Sequence, residues 1–117
     1  MIKIENHLGT IEISQEFIAN LAGKAASECF GVVGMVNSTP SQGFRSLLSK
    51  KDAPDKGIRI RQNGGKLTID MHIIVTYGLN IAAIVKSITN KVRYTVEDAT
   101  GLDVLKVNVY VDGMKAE

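Results

Sequence analysis

Tryptophan is absent, proline occurs twice, cysteine once and histidine twice, and aromatic residues make up only 5% of the chain. Each shortage excludes something. A lone Cys29 cannot close an internal disulfide, so no cross-linked secreted scaffold is built here. Few aromatics leave little material for a base-stacking platform. With 44% apolar and 22% charged residues, the chain falls outside the composition of disordered segments. Charge of one sign is also missing: 14 Lys plus Arg against 12 Asp plus Glu leave a net charge of +2, far from the excess of a typical nucleic-acid-binding domain. The stretch from Met71 to Val85, free of Asp, Glu, Lys and Arg, contains His72, Gly78 and Asn80 and falls short of the roughly 18 residues of a membrane span. No secretory leader pattern opens the sequence, so a reducing, cytoplasmic setting is expected. At 117 residues the expectation is a single domain over 1–117 with one hydrophobic core.

What is present is strongly patterned. Ile11 and Ile13 alternate with Thr10 and Glu12 as in a half-buried strand. Ser14 is placed to cap a helix in which Phe17, Ile18, Leu21, Ala22, Ala25, Ala26 and Cys29 recur at spacings of three and four. Gly31 is expected to stop that helix, and Val32 to Val36 suit a short extended piece. Residues 37–56 turn to Ser, Thr, Pro, Gly, Lys and Asp, with Phe44, Leu47 and Leu48 as the apolar exceptions. They read as a long, mobile loop with a helical stretch at about Ser41 to Ser49, a length that often carries function. Gly57 to Arg61 and Leu67 to Val75 alternate on either side of Asn63-Gly64-Gly65, the pattern of a β-hairpin. After Gly78, Ile81, Ile84, Val85, Ile88, Val92, Val96 and Ala99 hold a helical period up to Gly101. Val104 to Val111 form the last strand, with Asp112-Gly113 read as a turn or exit.

These elements predict an α+β fold: a two-layer sandwich with a mixed sheet of about four to five strands and both helices on one face. The other face is then open, and carries Arg59, Arg61, Thr68, Asp70, His72, Ile74, Thr76, Lys106, Asn108 and Tyr110. Exposed sheet faces and edges invite another protein or a second copy.

Catalytic patterns are scarce. His7 and His72 share no metal-ligand spacing. Asp70 and His72, two apart on one strand face, are the minimum of a base-plus-orienter pair, set against a solvated cross-face pair. Cys29, on an apolar stripe, reads as an inert core thiol. Gly31-Val32-Val33-Gly34 matches the G-x-x-G string that clamps nucleic-acid backbone between two helices, although two valines suit a strand better. No nucleotide-binding glycine motif occurs, so no cofactor is expected. Arg45, Lys50, Lys51, Lys56, Arg59, Arg61 and Lys66 face only Asp52 and Asp55, a local excess of five. Such a segment can attract phosphate, RNA or an anionic surface, or simply stay solvated.

Several segments together resemble the alkaline shock protein (envelope stress response) family, in its short single-domain form. They are Gly9 to Ser14 with the Ala-rich helix, Gly31 to Met35, Lys56 to Ile60, Leu67 to Met71, Val75 to Gly78, and Thr100 to Val104 with Val107 to Val111. The resemblance implies a bacterial cytoplasmic protein of cell-envelope homeostasis with no established catalytic residue. It also implies self-assembly and recruitment to the membrane through a membrane-anchored partner. A lipid-metabolism link follows from the kinase genes that often neighbour short members. The lack of an extended tail is a departure from longer relatives.

The expected function is a non-enzymatic scaffold or adaptor in the envelope stress response. It would act on protein partners through Arg59, Arg61, His72, Ile74 and Tyr110 on the sheet face and Lys50, Lys51 and Lys56 in the basic loop. The alternative is a small RNA-binding module using the basic 45–66 region.

Overall fold

The computed structural model describes residues 1–35 and 57–116. The 37–56 loop, with its expected helical stretch and with Arg45, Lys50, Lys51 and Lys56, lies outside the described residues. The elements are β1 (Ile2–Asn6), β2 (Gly9–Ile13), α1 (Gln15–Ser27), β3 (Val32–Met35), β4 (Ile58–Asn63), β5 (Lys66–Thr76), α2 (Ile81–Thr100) and β6 (Asp103–Lys115). The expected α+β architecture is present, as a four-stranded mixed sheet under two helices plus a separate two-stranded hairpin.

The sheet is organised around β5. β4 pairs antiparallel with its first half, β3 antiparallel with its last residues, and β6 runs parallel along its whole length. Leu67, Ile69, Met71, Ile73 and Val75 are completely buried, while Thr68, Asp70, His72, Ile74 and Thr76 face the other way, half-exposed. Strand side chains alternate sides, so one run of alternating residues supplies both the floor of the core and the open face.

The helices close the core. On α2, Ile84, Ile88, Val92 and Val96 are fully buried at four-residue intervals, each such side chain contributing about 1.5–3 kcal/mol through burial. Asn80 caps its start by accepting from the Ala83 amide at 3.1 Å, and Gly101 ends it with φ 77°. The Glu97 carboxylate then accepts from the Val104 amide at 2.8 Å, which pins the entry to β6. On α1, Ser14 caps as expected, accepting from Glu16 and Phe17. Ile18, Ala19, Ala22, Gly23, Ala25 and Ala26 are buried, and the small residues let α1 pack closely beside α2.

Four expectations are corrected. The chain opens with a hairpin, β1 with β2, rather than with one strand. Ile2 is fully buried at its start, and the Gln62 side chain bonds both the amide and the carbonyl of Lys3, tying the hairpin to β4. Phe17, expected on the buried stripe of α1, is 51% exposed. The first helix ends at Glu28 in ordinary helical geometry, not at Gly31. Gly31 lies three residues on, with φ 83°, where its carbonyl accepts from the Thr76 amide at 2.8 Å as the chain joins the sheet. Asp112-Gly113 is not an exit: β6 continues to Lys115, and the pair marks an irregularity inside the strand.

Gly31 is required for two reasons: its positive φ disfavours any side chain, and a Cβ there would stand 2.5 Å from Ile84 Cδ1. Gly31→Ala is therefore expected to cost roughly 2–3 kcal/mol, read as a lowered urea midpoint. Ile84→Val, which removes the offending methyl, should recover part of the loss in the double variant.

Candidate functional site

The open face is built from three strands by register. Arg59 of β4 lies opposite Asp70 and Arg61 opposite Thr68, while on the other side Asn108 of β6 lies beside Asp70 and Tyr110 beside His72. Four of the five expected face residues, Arg59, Arg61, His72 and Tyr110, meet in this cross-strand cluster. Ile74, two residues beyond His72, is half-buried on the same face.

Two fixed groups organise the cluster. The Asp70 carboxylate accepts from Arg61 through Oδ2 at 2.8 Å and from the Asn108 side-chain amide through Oδ1 at 2.8 Å. With Asp70 16% and Arg61 56% exposed at the side chain, the bond is anchored at its acidic end and wet at its basic end. His72 forms the second group. Its ring stacks on Tyr110, centroids 4.7 Å apart and planes at 19°. Its Nδ1 lies 2.9 Å from Asp112 Oδ2; an ionised carboxylate can only accept, so Nδ1 carries a proton and donates. The base-plus-orienter pairing of Asp70 with His72, weighed against a solvated face, is not formed: Asp70 bonds Arg61 and Asn108, and His72 meets Asp112.

Between these groups lies an open concavity of about 350 Å³ lined by Gly57, Ile58, Arg59, Asp70, His72 and Tyr110. Arg59 is exposed and makes no ion pair among the described residues. None of the lining residues is a Ser, Thr or Cys nucleophile, and no group of three metal-ligating side chains occurs among the described residues. Cys29 is half-buried and bonds the Ala25 carbonyl. The G-x-x-G string is a strand entry rather than a phosphate clamp: Val32–Met35 is β3, paired with β5. Chemically, the cluster offers a guanidinium unpaired among the described residues, an aromatic surface and a set of immobilised polar groups.

Asp112 is the functional-face residue that a strand ending at Val111 leaves out. It continues the run of Asn108 and Tyr110 onto the face of His72, at the point where β6 shifts register against β5 between Val111 and Gly113. The signal in the sequence is Asp-Gly inside an apolar run, which reads equally well as a turn.

Residues 3–116 match the alkaline shock protein 23 family, described by a cell envelope-related function. The chain belongs to the alkaline shock protein family. Its relatives include the uncharacterized protein YloU of Bacillus subtilis (strain 168), 39% identical over 97% of this chain and 95% of that one. Another is the uncharacterized protein Spy1614 of Streptococcus pyogenes serotype M6, 36% identical over 97% and 94%. Among solved structures it resembles MamM CTD variants. One has a TM-score of 0.53 at 18% identity, covering 87% of this chain and 100% of that one; a manganese form has 0.51 at 19%, covering 86% and 99%. At that identity the likeness concerns the fold alone, and it agrees with the α+β architecture. In this alkaline shock protein domain no helix among the described residues is long and apolar enough to cross a membrane.

The Asp70 network makes a direct prediction. Asp70→Ala removes two hydrogen bonds, one of them charged and half-solvated, and should cost about 1–2 kcal/mol. Asp70→Asn keeps an acceptor for Asn108 and should cost less, both read from urea denaturation.

Proposed function

We propose that this chain is a non-enzymatic scaffold or adaptor in cell-envelope homeostasis, working in the cytoplasm and reaching the membrane through a protein partner. The observation that carries the reading is the open face itself. Arg59, Arg61, His72, Ile74 and Tyr110 stand together on one side of the sheet, and their neighbours hold several of them in place. A surface whose side chains are already ordered loses less freedom when a partner covers it. Tyr and Arg are the residue types that most often anchor protein contacts. Family membership supplies the envelope setting, and the concavity, lined without a nucleophile among the described residues, supports a binding role over a catalytic one.

The RNA-binding alternative draws on the same arginines, but Arg61 is engaged by Asp70, which lowers the free positive charge of the face. Lys50, Lys51 and Lys56, also expected to contribute, fall outside the described residues.

A photo-cross-linking residue in place of Arg59 in living cells, with Tyr94 on α2 replaced as the control, tests the reading. The expected result is one or a few protein adducts from position 59 that fractionate with the membrane, and none from position 94. Adducts to RNA alone, or identical adducts from both positions, would overturn it.

A further inference from the structure

Every strand of the four-stranded sheet hydrogen-bonds to β5, and β6 forms one border of that sheet: among the described residues it pairs with β5 and with no other strand. β4 is different, because Gln15 donates to its Ile60 carbonyl and Gln62 ties the hairpin against it. At the start of β6 the Val104 amide donates to Glu97 and the Leu105 carbonyl accepts from Arg93 at 3.4 Å; from Lys106 to Lys115 the strand presents one side of its backbone unpaired among the described residues. Its Val107, Val109 and Val111 lie on the helix side, packed against the core yet only partly covered. Leu105 and Met114 are 47% and 49% exposed.

The charges on this strand are arranged with a symmetry of their own. They are Asp103, Lys106, Asp112 and Lys115, alternating in sign. When two identical strands pair antiparallel about a two-fold axis, the axis must pass through a residue, since residues directly opposite must turn their backbone groups the same way. With Val109 on the axis, Asp103 faces Lys115 of the second copy and Lys106 faces Asp112. All four charges on each strand then meet the opposite sign, and no other two-fold register of the strand sets any Lys opposite an Asp.

The irregularities of β6 fit the same register. The strand shifts against β5 at Leu105 and again at Asp112, one in each half, so Leu105-Lys106 of one copy lies opposite Asp112-Gly113 of the other and the count of residues stays matched. Faces agree as well. Lys106 pairs with Thr68 and Lys115 with Thr76, both on the open side, where the Asp112 carboxylate meets His72. On the helix side Val107 meets Val111, and Val109 meets its own twin. Bulges and charges on an edge strand also serve to repel unwanted pairing, but repulsion alone gives no reason for the signs to complement each other about one residue.

We infer that β6 is a self-recognition edge: two copies of this chain pair through antiparallel β6 strands centred on Val109, joining their sheets into one. The pairing extends the proposed scaffold by naming a partner at its edge, and its test reads mass rather than cross-linked partners, so either idea can fail alone.

The experiment is the solution mass of the full chain by sedimentation over a wide concentration range at low salt. The unmodified chain should dimerise. Lys106→Asp sets like charges opposite at two places per dimer and should weaken association roughly tenfold, as should Asp112→Lys. The double variant Lys106→Asp with Asp112→Lys exchanges the signs, restores complementarity and should dimerise again. A folding defect in either single variant would not be repaired by the exchange, so recovery reports the register. A chain that stays monomeric at millimolar concentration, a dimer indifferent to the single reversals, or an exchange that fails to restore association would each overturn the inference.

Discussion

The alternation along β5 is the constraint on which both halves of this molecule depend. Five consecutive odd positions, Leu67 to Val75, disappear completely under the helices, and the even positions between them form the centre of the open face. Because β3, β4 and β6 all take their register from β5, its orientation is passed to every neighbour: Arg59 and Arg61 on one side, Asn108 and Tyr110 on the other. A slip by one residue would bring Asp70 and His72 under α2 and expose Ile69 and Met71. Burying a carboxylate and an imidazole without partners costs several kcal/mol, so the arrangement of the face is enforced by the energetics of the core beneath it.

The parallel pairing of β6 to β5 has a further consequence. A parallel neighbour needs a crossover connection, and α2 supplies it, capped at Asn80 and Gly101. The Glu97 carboxylate, one turn from the helix end, bonds the second residue of β6, so helix end and strand start are set together. β6 then accommodates one extra residue near each end of its pairing with β5. At Asp112 the alternation of Asn108 and Tyr110 continues, which puts a carboxylate on the face where His72 can donate to it. The continuation of the strand past Val111 therefore creates a contact that an exit at Asp112-Gly113 would forgo.

Much of this was legible in the sequence, and the reasons it was legible are local. β5, α2 and the Ser14 cap each rest on periodicity or on a side chain bonding its own next turn, and the alternation alone placed Arg59, Arg61, His72, Ile74 and Tyr110 on one face. What escaped depended on distant partners. Ile2 and Ile4 alternate with Lys3 and Glu5 over too short a run to announce a strand, and β1 is held by β2 and by Gln62, far along the chain. Gly31 resembles a helix cap in sequence, but its role is set by Ile84, which only packing brings near. The partner of His72 is 40 positions away and not the Asp70 two positions away, because Asp70 is already satisfied by Arg61 and Asn108. Asp112-Gly113 carries the chemistry of a turn, and only the neighbouring β5 keeps the chain extended through it.

The face and the edge of this sheet are independent resources. Pairing along an edge uses backbone groups that lie in the plane of the sheet, whereas the face offers side chains perpendicular to it. Extending the sheet through β6 would leave Arg59 and the concavity beside it uncovered, because β4 lies on the far side of β5. It would also repeat the face on the second copy, turned by the two-fold axis, so that a partner with two matching segments could engage both at once. Linking two weak contacts in this way raises overall binding by the effective concentration of the second site, without any new kind of contact. A face with one guanidinium unpaired among the described residues and one stacked aromatic pair is a modest binding surface alone, and duplication lets such a surface hold a partner more firmly.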